Sequence, residues 1–274
     1  MLNIGWFSTG RDEAARQLLQ AVRENIHNGE IGGKIKFVFS NREPGEAKES
    51  DLFFELVRSY GIPLVCFSHK KFKSLTQTLS LERRGLGKDE AKQSRESWRL
   101  KYDREVNKRI EKFTPDICVL AGYMLIVGEE LCQEYDMINL HPAPPNGPTG
   151  SWQEVIWKLI QNNAKEAGAM MHLVTPELDR GPVVSYCRFP IKGEPFDRFW
   201  QRDEKTMLFQ LIRQYELARE FPLIIFTLQA LSRGKVGIRE GKVIDTQGKP
   251  IDGYDLSSQI NQMVEGKIAL LRSQ

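Results

Sequence analysis

Short apolar runs alternate with longer amphipathic ones along this 274-residue chain, and that rhythm restricts the fold more than any other feature. The apolar runs fall near 2 to 7 (LNIGWF), 35 to 40, 63 to 67, 116 to 121 and 137 to 140, and the amphipathic ones near 12 to 27, 48 to 60, 95 to 113, 128 to 135 and 151 to 164. Strands separated by helices cannot pair through tight hairpins, so they pair in parallel and are covered by the helices between them. The expected fold is α/β, an open, mostly parallel sheet with helices on both faces. The runs Met170 to Val174 and Val183 to Phe189 are joined by a Pro, Asp and Gly-punctuated loop too short for a crossover helix, so they are expected to be antiparallel neighbours.

Beyond Glu194, EPFDRFWQRDEKTMLFQLIRQYELAREFPLIIFTLQAL reads as a loop followed by helices, with Glu220 at a helix boundary. KVGIREGKVI reads as a hairpin turning at Glu240 and Gly241, and DLSSQINQMVEGKIALLRSQ as a terminal amphipathic helix that docks on the domain or supports a homodimer. The expected organisation is one α/β domain over 1–195 with a helical and hairpin extension over 196–274 packed on it. The segment from His69 to Lys112 is dense in both charge signs and reads as a helix with a solvated face. Within it, ERRGLGKDE (82 to 90) reads as a loop that is a lid or an insertion.

A net charge of +3 gives no case for nucleic acid as a partner. Cys66, Cys118, Cys132 and Cys187 have no metal-type spacing and read as reduced packing residues, so no metal is expected. Met1 is followed directly by a strand-like run without a basic leader, and no apolar stretch is long enough to span a bilayer. The expected setting is cytoplasmic, without membrane contact.

The chemistry is carried by INLHP (138 to 142) and HLVTPELDRGPVV (172 to 184). Asn139 and His141, one residue apart on an extended backbone, project to the same side and can flank a carbonyl carbon under attack by an amine. They read as oxyanion stabiliser and acid/base, with the imidazole protonated. Asp179, in the loop between two apolar runs, can return to the imidazole and take up a proton. All three lie at strand ends, where open α/β sheets bind ligands, so a single cleft is expected. In FSTGRDEAARQLL, Ser8, Thr9 and Gly10 separate a strand from a helix, where backbone N–H groups can receive a phosphate and Arg11 can assist. No G-x-G-x-x-G follows the first strand, which counts against a nicotinamide cofactor.

AGYMLIVGEEL (121 to 131), INLHPAPPNGPTG (138 to 150) and HLVTPELDRGPVV, in this order and spacing, resemble the formyl-folate-dependent formyltransferases, and the similarity runs over most of the chain. The resemblance implies a Rossmann-like formyltransferase sheet and transfer of the formyl group of 10-formyltetrahydrofolate, the co-substrate, to a primary amine without a covalent enzyme intermediate. Glycinamide ribonucleotide of purine synthesis is the leading acceptor. The resemblance places Asn139, His141 and Asp179 in catalysis, with His172 orienting the aspartate. It places Met124, Leu125, Ile126, Val127, Thr175 and Glu177 around the folate, and Thr9, Gly10, Arg11 and Glu220 at the acceptor. This chain departs from the family pattern in its single-glycine phosphate loop, in Leu125 where close relatives carry arginine, in Arg180 after the aspartate, and in Asn146 and Gly147 where a basic residue is common. These departures leave three alternatives: another amine acceptor such as an amino sugar nucleotide, hydrolysis of formyl-folate, and a non-catalytic folate-binding protein.

Overall fold

LNIGWF is apolar on both faces of an extended chain, as a central strand of a helix-covered sheet must be, and it forms β1 (Leu2–Phe7), whose last four residues are buried. The computed structural model describes residues 1–78 and 88–272. Its contacts divide into two units, one comprising Met1–Arg23, Gly33–Met137 and Val174–Pro176, the other Glu24–Gly32, Ile138–Leu173 and Glu177–Gln274. The architecture is α/β, with a mostly parallel eight-stranded sheet and flanking helices.

In the first unit the elements run α1 (Glu13–His27), β2 (Gly33–Ser40), α2 (Lys48–Ser59), β3 (Leu64–Cys66), α3 (His69–Thr78), α4 (Lys88–Ile110), β4 (Ile117–Leu120) and α5 (Glu129–Glu134). The strands order as β4-β1-β2-β3, all parallel, as the alternating pattern requires. Asp12 starts α1 by accepting the Ala15 N–H at 3.1 Å, an N-cap that uses the acidic pair at this turn locally. An aromatic core joins Phe7, Phe37, Phe39, Tyr102 and Tyr123, with Phe67, Phe72 and Trp98 packed against it. Each such fully buried ring contributes about 1.5 to 3 kcal/mol. Trp98 and Tyr102 stack at 5.3 Å and Tyr102 donates to the Phe67 carbonyl at 2.6 Å, so the charged α4 is anchored by one aromatic edge.

The helix expected over 95–113 runs Lys88–Ile110 and closes in a 3-10 turn at Glu111–Phe113, and α3 is an additional helix in the charge-dense segment that begins at His69. The first six residues of the loop expected at 82 to 90 lie outside the described residues.

The second unit contains β5 (Met137–His141) beyond its first residue, α6 (Trp152–Gln161), β6 (Glu166–Leu173), β7 (Val183–Pro190), α7 (Asp197–Gln201), α8 (Lys205–Ser232), β8 (Val236–Arg239), β9 (Lys242–Asp245), β10 (Tyr254–Asp255) and α9 (Ser257–Arg272). Here β5, β6 and β7 are successive antiparallel neighbours, and β10 adds parallel to β7. The antiparallel pair expected from the short loop is present, but β6 starts four residues earlier than expected. Ala167, Gly168 and Ala169 are weak strand formers, and packing demands the glycine: a Cβ on Gly168 would clash with the Cys187 carbonyl oxygen.

The hairpin turns at Glu240 and Gly241, both at positive φ (50° and 69°), the two-residue geometry that matches strand twist. Helix α8 continues through Pro222, so REFP is mid-helix and Glu220 is buried there, a correction to the expected boundary. The terminal helix α9 docks on α8 and β7 through Ile260 and Val264. Among the described residues no helix is long and apolar enough to cross a membrane. All four cysteines are free, Cys118 and Cys187 buried and the other two half-buried.

Candidate functional site

Strand pairing puts Asn139 opposite His172 and His141 opposite Met170, and a bulge in the β6–β7 ladder falls at Met171/His172. The two imidazoles and the carboxamide therefore lie on one face of adjacent strands. Asn139 Nδ2 is 3.2 Å from His172 Nε2, and the two imidazole rings are 6.0 Å apart at 87°. Asp179 reaches both rings from the β6–β7 loop: Oδ2 is 3.6 Å from His141 Nδ1 and Oδ1 is 3.7 Å from His172 Nε2. Its backbone is left-handed (φ 54°), a conformation Asp tolerates better than most residues. The Gly150 N–H donates to Asp179 Oδ2 at 3.2 Å, and the next residue, Ser151, caps α6 in a reciprocal box with Glu154.

His141 Nε2 lies 3.0 Å from the Pro148 carbonyl, so the ring has an acceptor at each nitrogen. Burial lowers its pKa below the ordinary imidazole value, against the raising effects of Pro148 and Asp179, and the His172 ring lowers it further. Burial thus favours the neutral form of the resting imidazole. A neutral ring carries one proton, so one nitrogen faces its acceptor without a hydrogen and is ready to take one up. Burial raises the Asp179 carboxyl, but the neighbouring His172 and His141 rings and the Gly150 N–H outweigh it, and the group stays below its ordinary value. His172 Nδ1 is 2.8 Å from the Leu173 carbonyl, which leaves Nε2 to face Asn139 and Asp179. A buried carboxylate, two imidazoles and a carboxamide at these distances can stabilise a developing oxyanion and move a proton.

In the same unit Glu220 accepts from Arg213 Nη1 at 2.6 Å, and Arg213 also lies 4.5 Å over the Trp152 ring. Glu216, one turn earlier, is fully buried, and burial pushes its carboxyl well above the usual range, the Glu220 charge adding to it. In the loop before Asp179, Glu177 and Leu178 are exposed.

The first unit holds the other expected residues. Thr9 Oγ donates to Asn41 Oδ1 at 2.8 Å and accepts the Met124 N–H at 3.0 Å, and Asn41 continues to His69 at 3.2 Å. The N–H groups of Ser8, Thr9 and Gly10 already donate to Phe39 O, Gly122 O and Ser8 Oγ, so the turn does not offer them to an anion as expected. Gly10 is required here: its φ is +61° and a Cβ would stand 2.9 Å from the Phe53 ring. Arg11 and Asp12 form a half-exposed ion pair at 3.5 Å, and Arg11 Nη1 contacts Met124 Sδ at 3.4 Å.

The four residues 124–127 divide by alternation. Met124 and Ile126 are exposed, whereas Leu125 and Val127 pack into the aromatic core, so Val127 is not the open apolar surface it was expected to be. Thr175 is half-buried in the same unit. Sequence reading missed Asn41, which follows the end of β2 where strand-end ligands are expected, and the carbonyl of Pro148, a backbone group with no sequence signature.

The chain belongs to the formyl transferase family, whose model matches residues 3–195. The phosphoribosylglycinamide formyltransferase of Escherichia coli strain K12 is 30% identical over 177 residues, covering 63% of this chain and 68% of that protein. Among solved structures, the phosphoribosylglycinamide formyltransferase of Coxiella burnetii superposes with a TM-score of 0.66 at 20% identity, covering 93% of this chain and 98% of the other. A formyltetrahydrofolate deformylase from Pseudomonas syringae shares the fold at a TM-score of 0.56 and 20% identity, covering 89% of this chain and 65% of that one.

Proposed function

We propose that this chain transfers the formyl group of 10-formyltetrahydrofolate to the primary amine of glycinamide ribonucleotide, a step of purine biosynthesis, in the cytoplasm. The observation that carries the reading is the set of a half-buried Asn139 with buried His141, His172 and Asp179 side chains, 3.2 to 3.7 Å apart, in a chain of this family. The amine attacks the formyl carbon, forming the new C–N bond and placing negative charge on the formyl oxygen. The Asn139 amide and the His141 N–H stabilise that oxyanion. Collapse breaks the bond to N10 of the folate, and the proton lost by the amine passes to N10 with His141 and Asp179 carrying it, His172 holding the aspartate. Met124, Ile126, Thr175 and Glu177 are assigned to the folate, and Arg11 and Glu220 to the acceptor. Residues 196–274 are assigned as an extension of the catalytic domain.

The test is tetrahydrofolate formation from 10-formyltetrahydrofolate with and without glycinamide ribonucleotide. Acceptor-dependent turnover is expected. Formate release at the same rate without acceptor would replace this reading with hydrolysis, which the deformylase likeness makes the second reading.

A further inference from the structure

The backbone bonds to the β1 end stop at Gly122, whose carbonyl accepts the Thr9 N–H, and from there to Gly128 the chain leaves the sheet while its side chains still alternate between solvent and core. Two side chains from other elements hold its backbone. Thr9 Oγ accepts the Met124 N–H at 3.0 Å, and Asp103 Oδ2, from α4, accepts the Gly128 N–H at 2.5 Å. Asp103 is 4% exposed, and a Cβ on Gly128 would stand 2.6 Å from Oδ2, so only glycine admits the carboxylate so near the backbone. Tyr102 and Val106, flanking Asp103 on α4, belong to the core cluster that receives Leu125 and Val127. A slip of one residue in this extended stretch would exchange the pair facing solvent for the pair facing the core.

We propose that Asp103 is a positioning residue for the formyl donor: by accepting the Gly128 N–H it fixes the register in which Met124 and Ile126 present an apolar surface to the pterin ring. This rests on the reading of Met124 and Ile126 as folate contacts. The carboxylate touches no reacting atom. It holds one end of the segment while Thr9 holds the middle, and burial raises its pKa to about 6 against the lowering effects of the Gly128 N–H and Arg99.

Steady-state kinetics of the full chain test it, with 10-formyltetrahydrofolate and glycinamide ribonucleotide varied separately. Removing a hydrogen bond to a charged group is worth about 1.5 to 3 kcal/mol, so Asp103→Ala is expected to raise the donor KM about 10- to 100-fold with the acceptor KM within about twofold. Asp103→Asn keeps an oxygen for the Gly128 N–H and is expected to restore the donor KM to within about threefold. Gly128 has an ordinary φ of −84°, so Gly128→Ala strains no backbone and displaces the carboxylate from the other side. It is expected to raise the donor KM alone and to add little to Asp103→Ala.

The proposal is overturned if folded Asp103→Ala keeps its donor KM within about twofold, if the loss falls equally on both KM values and kcat, or if Asp103→Asn is as impaired as Asp103→Ala. Should Asp103→Ala not fold, Gly128→Ala decides by the same readings. Failure of the underlying functional reading looks different, because the unaltered protein then neither binds nor consumes 10-formyltetrahydrofolate.

Discussion

His141 has an acceptor at each ring nitrogen and too few protons for both, so its environment is built around a proton that arrives during the reaction. Losing one well-placed oxyanion donor costs about two to three orders of magnitude in turnover, so His141→Ala should lose about that much in kcat while still binding folate, as stopped-flow turnover and equilibrium binding would show. The sign of the acid response follows from burial. With its folded pKa below the unfolded value, His141 contributes stability above the unfolded pKa of about 6.5 that is lost as pH falls through the folded value. Melts at pH 7 and pH 5 should therefore show a smaller drop for His141→Gln than for the unaltered protein. Asp179, also depressed, acts in a separate window below its ordinary value of 3.8. Asn139, His141 and Asp179 were legible in the sequence because strand alternation and a turn-rich loop fix their directions. The partners at Pro148 and Gly150 were not, because any residue supplies a carbonyl or an N–H.

At the scale of elements, α4 is a charged helix held by a few buried groups, and Asp103 is the costly one. Its folded pKa of about 6 exceeds the ordinary 3.8, so its neutral form is the one folding favours. The stabilising contribution is complete below pH 3.8 and is lost as pH rises through about 6. Asp103→Asn should accordingly raise stability at pH 7.5 by an amount on the order of 3 kcal/mol and change little at pH 4, in urea melts at the two values. In the first unit β1, β2 and β4 were legible from their buried apolar runs, and the half-buried β3 from a shorter one. The continuation of α8 through Pro222 was not, since proline ordinarily ends a helix and only packing against β6, β7 and α9 carries the chain past it. The early start of β6 was hidden for a related reason: its Gly168 answers a close approach by the Cys187 backbone rather than a local preference.

For the whole molecule, α8 decides what can be removed. Leu208, Ile212, Leu223, Ile224 and Leu228 are buried on it, and at about 1.5 to 3 kcal/mol each they approach the entire stability of an ordinary domain. A protein cut after Pro195 should fail to show a cooperative melt by circular dichroism, although the family match ends there. The α/β class was legible from alternation, but the division into units was not, because it depends on long-range contacts. The chain passes from one unit to the other after Arg23, Gly32, Met137, Leu173 and Pro176. No single crossover in the coding sequence can therefore deliver either unit whole, and a hybrid gene joined at one seam with a relative would inherit fragments of both.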